Sequence, residues 1–328
     1  MSAVSMRRLA STSGRRLRAF STLPAQQPTL VSTLPNQLRV ASESTGGLTA
    51  TVGVWIDTGS RYETDANNGV AHFLEHMAFK GTSKRSQLAL EMEVENMGGQ
   101  LNAYTSREQT VYYAKVLKED VPKAVELLSD ILTNSTFSAA AIERERDVIL
   151  REMEEVESMT EEVIFDMLHE VAYVGTPLAR TILGPEANIK AISADDVKAY
   201  IATHYTAPRM VVAASGAVEH DELVKLSGDY FGSVPTEAPA GLSFEYEPSL
   251  FSGGDVRAAR PRGMPRIVWR VAHGDCMRSA PALSSGGGVR DGTLAATAEW
   301  PRLAWPTDVA DRGPPRCPPG ARLWPPPC

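Results

Sequence analysis

Apolar residues recur along this 328-residue chain with two periods, and the period separates strands from helices. In LTATVGVWIDTGS, Leu48, Ala50, Val52, Val54 and Ile56 fall on alternate positions, which predicts a strand with one buried face. LNAYTSREQTVYYAKVL predicts two strands joined by a polar turn at Ser106–Glu108, a hairpin. EDVPKAVELLSDILTN places Val121, Val125, Leu128, Ile131 and Leu132 on one helical stripe. SAAAIERERDVILREMEEVESMTEEVIFDMLHEVAY is full of strong helix formers and reads as long and mostly helical. SADDVKAYIATHY opens on Ser193 with Asp196 at the capping-box position. MVVAASGAV reads as a buried strand and EHDELVKLSGDYF as a short helix. Strands and helices mix, with a hairpin among them. That predicts an α+β fold, a largely antiparallel sheet with helices packed on one side.

Charge divides the chain into three regions. Residues 1–40 carry six arginines and no acid. Residues 41–250 carry 34 acids against 16 lysines and arginines, and residues 251–328 carry 11 arginines, no lysine and 6 acids. The first region, MSAVSMRRLASTSGRRLRAFSTLPAQ, has the Arg-rich, Ser-rich, acid-free composition of a mitochondrial transit peptide, so residues 1–30 read as a targeting leader. The segment RAFST predicts cleavage at the Phe20–Ser21 bond and a mature start near Ser21. No lysine-rich run or aromatic interleaving supports nucleic-acid binding. From residue 258 onward the text changes again. Residues 251–328 hold 12 of the 22 prolines and four of the five tryptophans, without helical or strand period. This reads as a disordered Pro/Gly/Arg-rich tail, or as sequence translated from a shifted frame or an unspliced intron. The remaining stretch, residues 31–257, is the domain that carries chemistry.

The other bulk properties exclude more than they select. The hydrophobic fraction of 43% and charged fraction of 22% are ordinary for a globular protein. No apolar run is long enough for a membrane-spanning helix. Cys276, Cys317 and Cys328 are odd in number and fit no zinc or disulfide spacing, which suits a reducing compartment.

GVAHFLEHMAFKGT, residues 69–82, carries the strongest chemical signal. On a helix, Val70, Phe73, Leu74 and Met77 form one stripe, and His72, Glu75, His76 and Phe79 form a second. The first stripe is core. The second is explained by a metal: two imidazoles one turn apart can share one ion, with Glu75 on the same face and free to act on water. The pattern is H-x-x-E-H, the inverted form of a zinc-peptidase motif. A catalytic zinc takes three protein ligands, and the long acidic helix offers Glu143, Glu145, Glu152, Glu154 and Glu155. Ile149, Met153 and Val156 mark an apolar stripe that Glu152 adjoins. Spacing leaves Glu145 and Glu152 both open.

HFLEHMAFKGT, ENMGGQLNAYTSREQTVYYAKVL and ERERDVILREMEEVE together resemble the pitrilysin-type (inverzincin) metallopeptidases, over roughly residues 30–257. The resemblance implies a pitrilysin-like N-terminal domain, one Zn2+ per chain, and an endopeptidase that removes presequences of proteins imported into the mitochondrial matrix, with association to the inner membrane as a further expectation. His72 and His76 match the two zinc-binding histidines, Glu75 the general base and Glu152 the third ligand. Glu145 matches a supporting acid of the catalytic set. Glu162 and Asp166 match acids that receive a presequence arginine, and Phe79 a residue lining the pocket just after the cut. Asn102, Ala103 and Tyr104, within NAYTS at 102–106, match the edge strand on which substrate lies. Implied partners are the α subunit of the processing peptidase, basic presequence peptides and respiratory complex III. The physics agrees: Glu162 and Asp166 are four apart on one helix face, as a two-carboxylate clamp for a guanidinium requires. The acidic middle region would also draw in basic peptides.

The likeness stops near FSGGDVRA, so the family's second homologous domain is expected to be absent and activity to be impaired. Three functions compete: a zinc endopeptidase subunit, a structural core subunit of the respiratory cytochrome reductase, and a non-functional truncated product. A structural role needs none of His72, Glu75, His76 and Glu152, so their presence favours the enzyme.

Overall fold

A computed structural model describes residues 28–242, 246–258 and 267–271. The transit-peptide reading, apart from residues 28–30, lies outside them, as do the three cysteines and most of the segment after residue 258. The chain divides into two compact units, residues 1–256 with 270–286 and residues 257–269 with 287–328, and the first unit carries the site.

In chain order the elements are β1 (Leu30–Thr33), β2 (Arg39–Ser44), β3 (Thr49–Ile56), α1 (Val70–Ala78), α2 (Gln87–Asn96), β4 (Gln100–Thr105), β5 (Thr110–Leu117), α3 (Val121–Thr133), α4 (Ala139–Ser158), α5 (Thr160–Ala172), α6 (Glu186–Ala191), α7 (Ala194–His204), β6 (Met210–Gly216), α8 (His220–Phe231), β7 (Gly254–Ala258) and β8 (Ile267–Val271). The main sheet has the order β1-β2-β6-β3-β5-β4. Its β2–β6 pair is parallel, and its other pairs are antiparallel. The sheet is therefore largely antiparallel, and β4 lies at an edge.

Alternation along the central strands decides which face is covered. Ala50, Val52, Val54 and Ile56 of β3 are buried, and Tyr112 of β5 and Val212 of β6 lie opposite Val54 in the ladders. These side chains join one core with Val70, Phe73, Leu74 and Met77 of α1 and Val125, Leu128 and Ile131 of α3. Thr51, Trp55 and Tyr113 point the other way and are only partly buried. Helices thus cover one face, as the periodicity predicts. Leu48 is the exception: it precedes the strand and is exposed.

Other elements depart from the sequence reading. The long acidic helix breaks at Met159, whose ψ of 101° is extended. The Ser158 hydroxyl donates back to the Glu155 carbonyl, ending α4. Glu161 and Glu162 then fall in the first turn of α5, where the helix dipole favours them. The helix at 69–82 stops at Ala78, and Gly81 follows at φ +112°. The capping box at Ser193 and Asp196 forms with both of its hydrogen bonds.

Candidate metal and peptide-binding site

The amino end of α1 is set by an unusual anchor. Gly69 caps the helix at φ +104°, and a Cβ there would lie 2.6 Å from the Leu183 carbonyl oxygen. Glu63, buried in the preceding loop, accepts from the Gly69 and Ala71 N–H groups and from the Asn68 amide. Asn68 also donates to the Thr181 carbonyl, which ties this end of α1 to the loop before α6. The second stripe of α1 is thereby held over α4, against which the helix packs.

His72 and His76 project from that stripe with ring centroids 4.7 Å apart. Glu152 of α4 faces both: its Oε1 lies 3.6 Å from His72 Nε2 and its Oε2 3.2 Å from His76 Nε2. One ligand atom from each of the three residues falls within 4.8 Å of the others. Ligands that share one tetrahedral ion at 2.0–2.1 Å sit about 3.4 Å apart, so this donor set fits a divalent metal. Burial, helped by the neighbouring His76, drops the His72 pKa to about 4 and keeps that ring neutral, as a ligand must be. Its Nδ1 is buried without a hydrogen-bond partner, so no second carboxylate competes for this ring.

His76 has the opposite balance. Burial pulls its pKa down, but Glu152 and Glu145 on either side of the ring push it above the usual histidine value. Glu152 is in turn held low, first by the bond to His76 and then by His72, against the effect of its burial. Glu145 is almost fully buried; its Oε2 lies 3.3 Å from His76 Nδ1 and its Oε1 2.8 Å from Lys80 Nζ. A carboxylate on the far nitrogen of a ligand imidazole fixes its orientation and raises its basicity. The structure therefore separates the two acids that spacing leaves open: Glu152 meets both Nε2 atoms, and Glu145 sits behind one ring.

Glu75 shares the histidine face. Burial raises its pKa, while Thr105 at the end of β4 and His76 pull it partway back. Phe79 follows the last turn of α1 and lines a cavity of about 270 Å³ with Leu90, Val94 and Leu101, rimmed by Glu91 and Glu95. On β4, Asn102 and Tyr104 are exposed and Ala103 is half-buried, and among the described residues the outer edge of the strand has no partner in the main sheet. Glu162 on α5 is exposed, but Asp166 already meets a cation: Arg107 Nη2 donates to its Oδ1 at 2.6 Å. The two acids share a face of α5 without forming the open pair that their spacing suggests.

Glu63, Lys80 and Arg107 carry no site role in the sequence reading. Lys80 has a signal, since it lies one helical turn beyond His76. Glu63 and Arg107 act through loops and leave none.

Comparison with known proteins adds the following. The family model described as Insulinase (Peptidase family M16) matches residues 39–186, and the Peptidase M16 inactive domain matches residues 191–269. The chain is 58% identical over 269 residues to the mitochondrial-processing peptidase subunit beta of Bos taurus, covering 79% of this chain and 53% of that one. It is 60% identical over 248 residues to the human protein of the same name, covering 74% and 50%. Against the Saccharomyces cerevisiae protein it is 56% identical over 278 residues, covering 84% and 60%. The chain thus spans about half the length of the curated relatives it matches. A protease from Helicobacter pylori shares the fold, with a TM-score of 0.63 at 24% identity over 68% of this chain and 54% of that one. Among the described residues no helix is long and apolar enough to cross a membrane.

Proposed function

We propose, because this chain belongs to the M16 peptidase family, that it supplies the zinc-holding half of an endopeptidase that removes N-terminal presequences in the mitochondrial matrix. The observation that carries the reading is the convergence of His72, His76 and Glu152 with Glu75 on the same face. His72, His76 and Glu152 would hold the zinc. Bound there, zinc supplies Lewis acidity, which polarises a carbonyl and acidifies water.

The remaining steps belong to the chain's own residues. Glu75, half-buried and thus more basic than an exposed glutamate, takes the proton of the attacking water on a carboxylate oxygen and returns it to the leaving amine. Glu145 keeps His76 in one orientation, and Lys80 balances the charge of Glu145. The open edge of β4 binds an extended peptide through backbone hydrogen bonds that carry little sequence information. Specificity then comes from side-chain sites: the Phe79 cavity takes the residue after the cut, and Glu162 with Asp166 takes a basic residue before it. A presequence-type peptide, cationic and extended, meets a domain of opposite charge. The relatives' name, a subunit beta, supports an α-subunit partner.

The test is zinc content together with cleavage of a synthetic peptide of residues 12–26 of this chain, in the presence of that partner. One zinc per chain is expected, with a cut near Ser21. Glu75→Gln should retain the metal and lose about 10²–10⁴ in rate, the usual share of a general base. A protein that binds no zinc, or cuts as fast with Glu75→Gln, removes the proposal.

A further inference from the structure

Arg107 lies in the turn between β4 and β5, and its bond to Asp166 joins two features that the proposed function uses separately. β4 meets the backbone of a peptide, and α5 carries the carboxylates that meet a basic side chain. The turn is also fixed from its other side. The Arg61 N–H donates to the Arg107 carbonyl at 2.9 Å, and the Ser60 N–H to the Ser106 carbonyl at 3.3 Å. Gly59 permits this approach: a Cβ there would lie 2.2 Å from the Ser106 carbonyl oxygen. The Arg107 side chain is only 12% exposed, and its Nε is buried without an acceptor. Burying a donor unmet is unfavourable, so fold stability alone is a poor reason for this guanidinium to sit here. Placement against Asp166 is the better one.

We propose that Arg107 is a specificity-determining residue that sets the register between β4 and α5. By holding Asp166 at a fixed offset from the edge strand, it fixes how many residues separate the recognised arginine from the bond that is cut. The inference rests on the presequence-peptidase reading above. Arg107 engages Oδ1 of Asp166 and leaves Oδ2, together with Glu162, for the incoming guanidinium. Arg107, Asp166 and Glu162 then carry one net negative charge, which a single arginine neutralises. A clamp of two free carboxylates would instead attract a second cation and blur the position of the first.

The probe is the peptide of residues 12–26 with Arg15→Ala and Arg16→Ala, so that Arg18 is its one arginine, and a second peptide with one alanine inserted after Arg18. Both are cleaved by the zinc-loaded protein with its partner subunit, and the products are mapped by mass spectrometry. With the unaltered protein the cut keeps its distance from Arg18 in both peptides. With Arg107→Gln the fraction cut at the main bond falls at least threefold as neighbouring bonds are cut, and Arg107→Lys, which keeps a cation facing Asp166, restores most of it. A slower Arg107→Gln protein with unchanged cut positions overturns the register role and leaves a structural one. A cut that ignores the insertion in the unaltered protein also overturns it, and that measurement needs no variant to fold. If the unaltered protein cleaves neither these peptides nor the parent peptide, the peptidase reading fails and the register role with it.

Discussion

α4 and α5 are consecutive acidic helices separated by one extended residue, yet their carboxylates meet opposite surroundings. On α4, Glu145 and Glu152 turn inward, one behind His76 beside Lys80 and the other facing two imidazoles. Glu154, Glu155 and Glu157 on the same helix point to solvent. On α5, Glu161, Glu162 and Glu170 are exposed, and Asp166 meets a single guanidinium at the rim. The residue type is the same throughout. What differs is the opposing element: α1 lays two histidines over α4, and Lys80 just past its end adds a cation, while α5 faces a turn and open solvent. An inward carboxylate with nitrogen partners becomes a ligand or an orienting group, and an outward one becomes a field that attracts cations.

The widest gap between these environments lies within α4 itself. Glu152→Gln should weaken zinc binding by more than about 100-fold, beyond the usual effect of losing an outer partner of a ligand. Glu154→Gln, two residues away and exposed, should leave it unchanged. Competition with a chromophoric chelator measures both. Similar losses in the two variants would break the contrast between inward and outward acids.

Glu63 sharpens the contrast, because it is buried with dipoles and hydrogen-bond donors in place of an adjoining cation. Burial raises its pKa to about 7, despite the Ala71 N–H, the Asn68 amide, the Gly69 N–H and Arg180, all of which favour the ionised form. Its folded pKa exceeds the unfolded value, so the native state holds the proton more tightly. The stabilisation is full below about pH 4.5 and is lost as pH rises to about 7, a difference on the order of 3 kcal/mol. Urea unfolding of the metal-free protein across that window should show this slope as the difference between the wild type and Glu63→Gln, since the other shifted groups are common to both. A parallel pair of curves would show that the three donors, and not burial, govern this carboxyl.

Much of this architecture is legible in the sequence because it follows from period. The strand at 49–56, the hairpin, α3 and the apolar stripe of α1 are set by which side chains must avoid water. α2 is not legible in that way. Leu88, Leu90, Met92 and Val94 alternate as in a strand, and only Leu90 is buried. Helix-forming Leu, Ala, Glu and Met, with Ser86 accepting from the Ala89 N–H at the cap, override the pattern. At the site, His72, Glu75 and His76 are legible because one helix carries them at a fixed spacing. Glu152 is not fixed by its own helix, since Glu145 adjoins the same face; the resemblance selects it, and the packing of α1 on α4 places it. Arg107 and Glu63 depend on loop geometry, which leaves no period to read.

Lys80 tests whether inward acids depend on the cation beside them. Its removal leaves the buried Glu145 carboxylate without its closest cation, and a buried charge without that partner is held less firmly in place. Lys80→Met should therefore lower zinc affinity by about 10-fold through a weaker hold on His76, and Lys80→Arg should largely keep it. Isothermal titration with zinc reads the effect directly. Unchanged affinity in Lys80→Met would show that Glu145 needs only His76.

The smallest effect is expected on the outward side. Glu162 is exposed, so the attraction proposed for it toward a substrate guanidinium would act through water and salt. Exposed ion pairs contribute little, so Glu162→Gln should raise KM for an arginine-bearing peptide by roughly two- to fivefold at low salt. The increase should shrink toward nothing at about 0.5 M salt, where screening acts over only a few ångströms, and kcat should hold steady. A change in kcat, or an effect that survives high salt, would mean that Glu162 acts at close range as Glu152 does. The divide between α4 and α5 would then disappear in the presence of substrate, with the bound peptide doing for α5 what α1 does for α4.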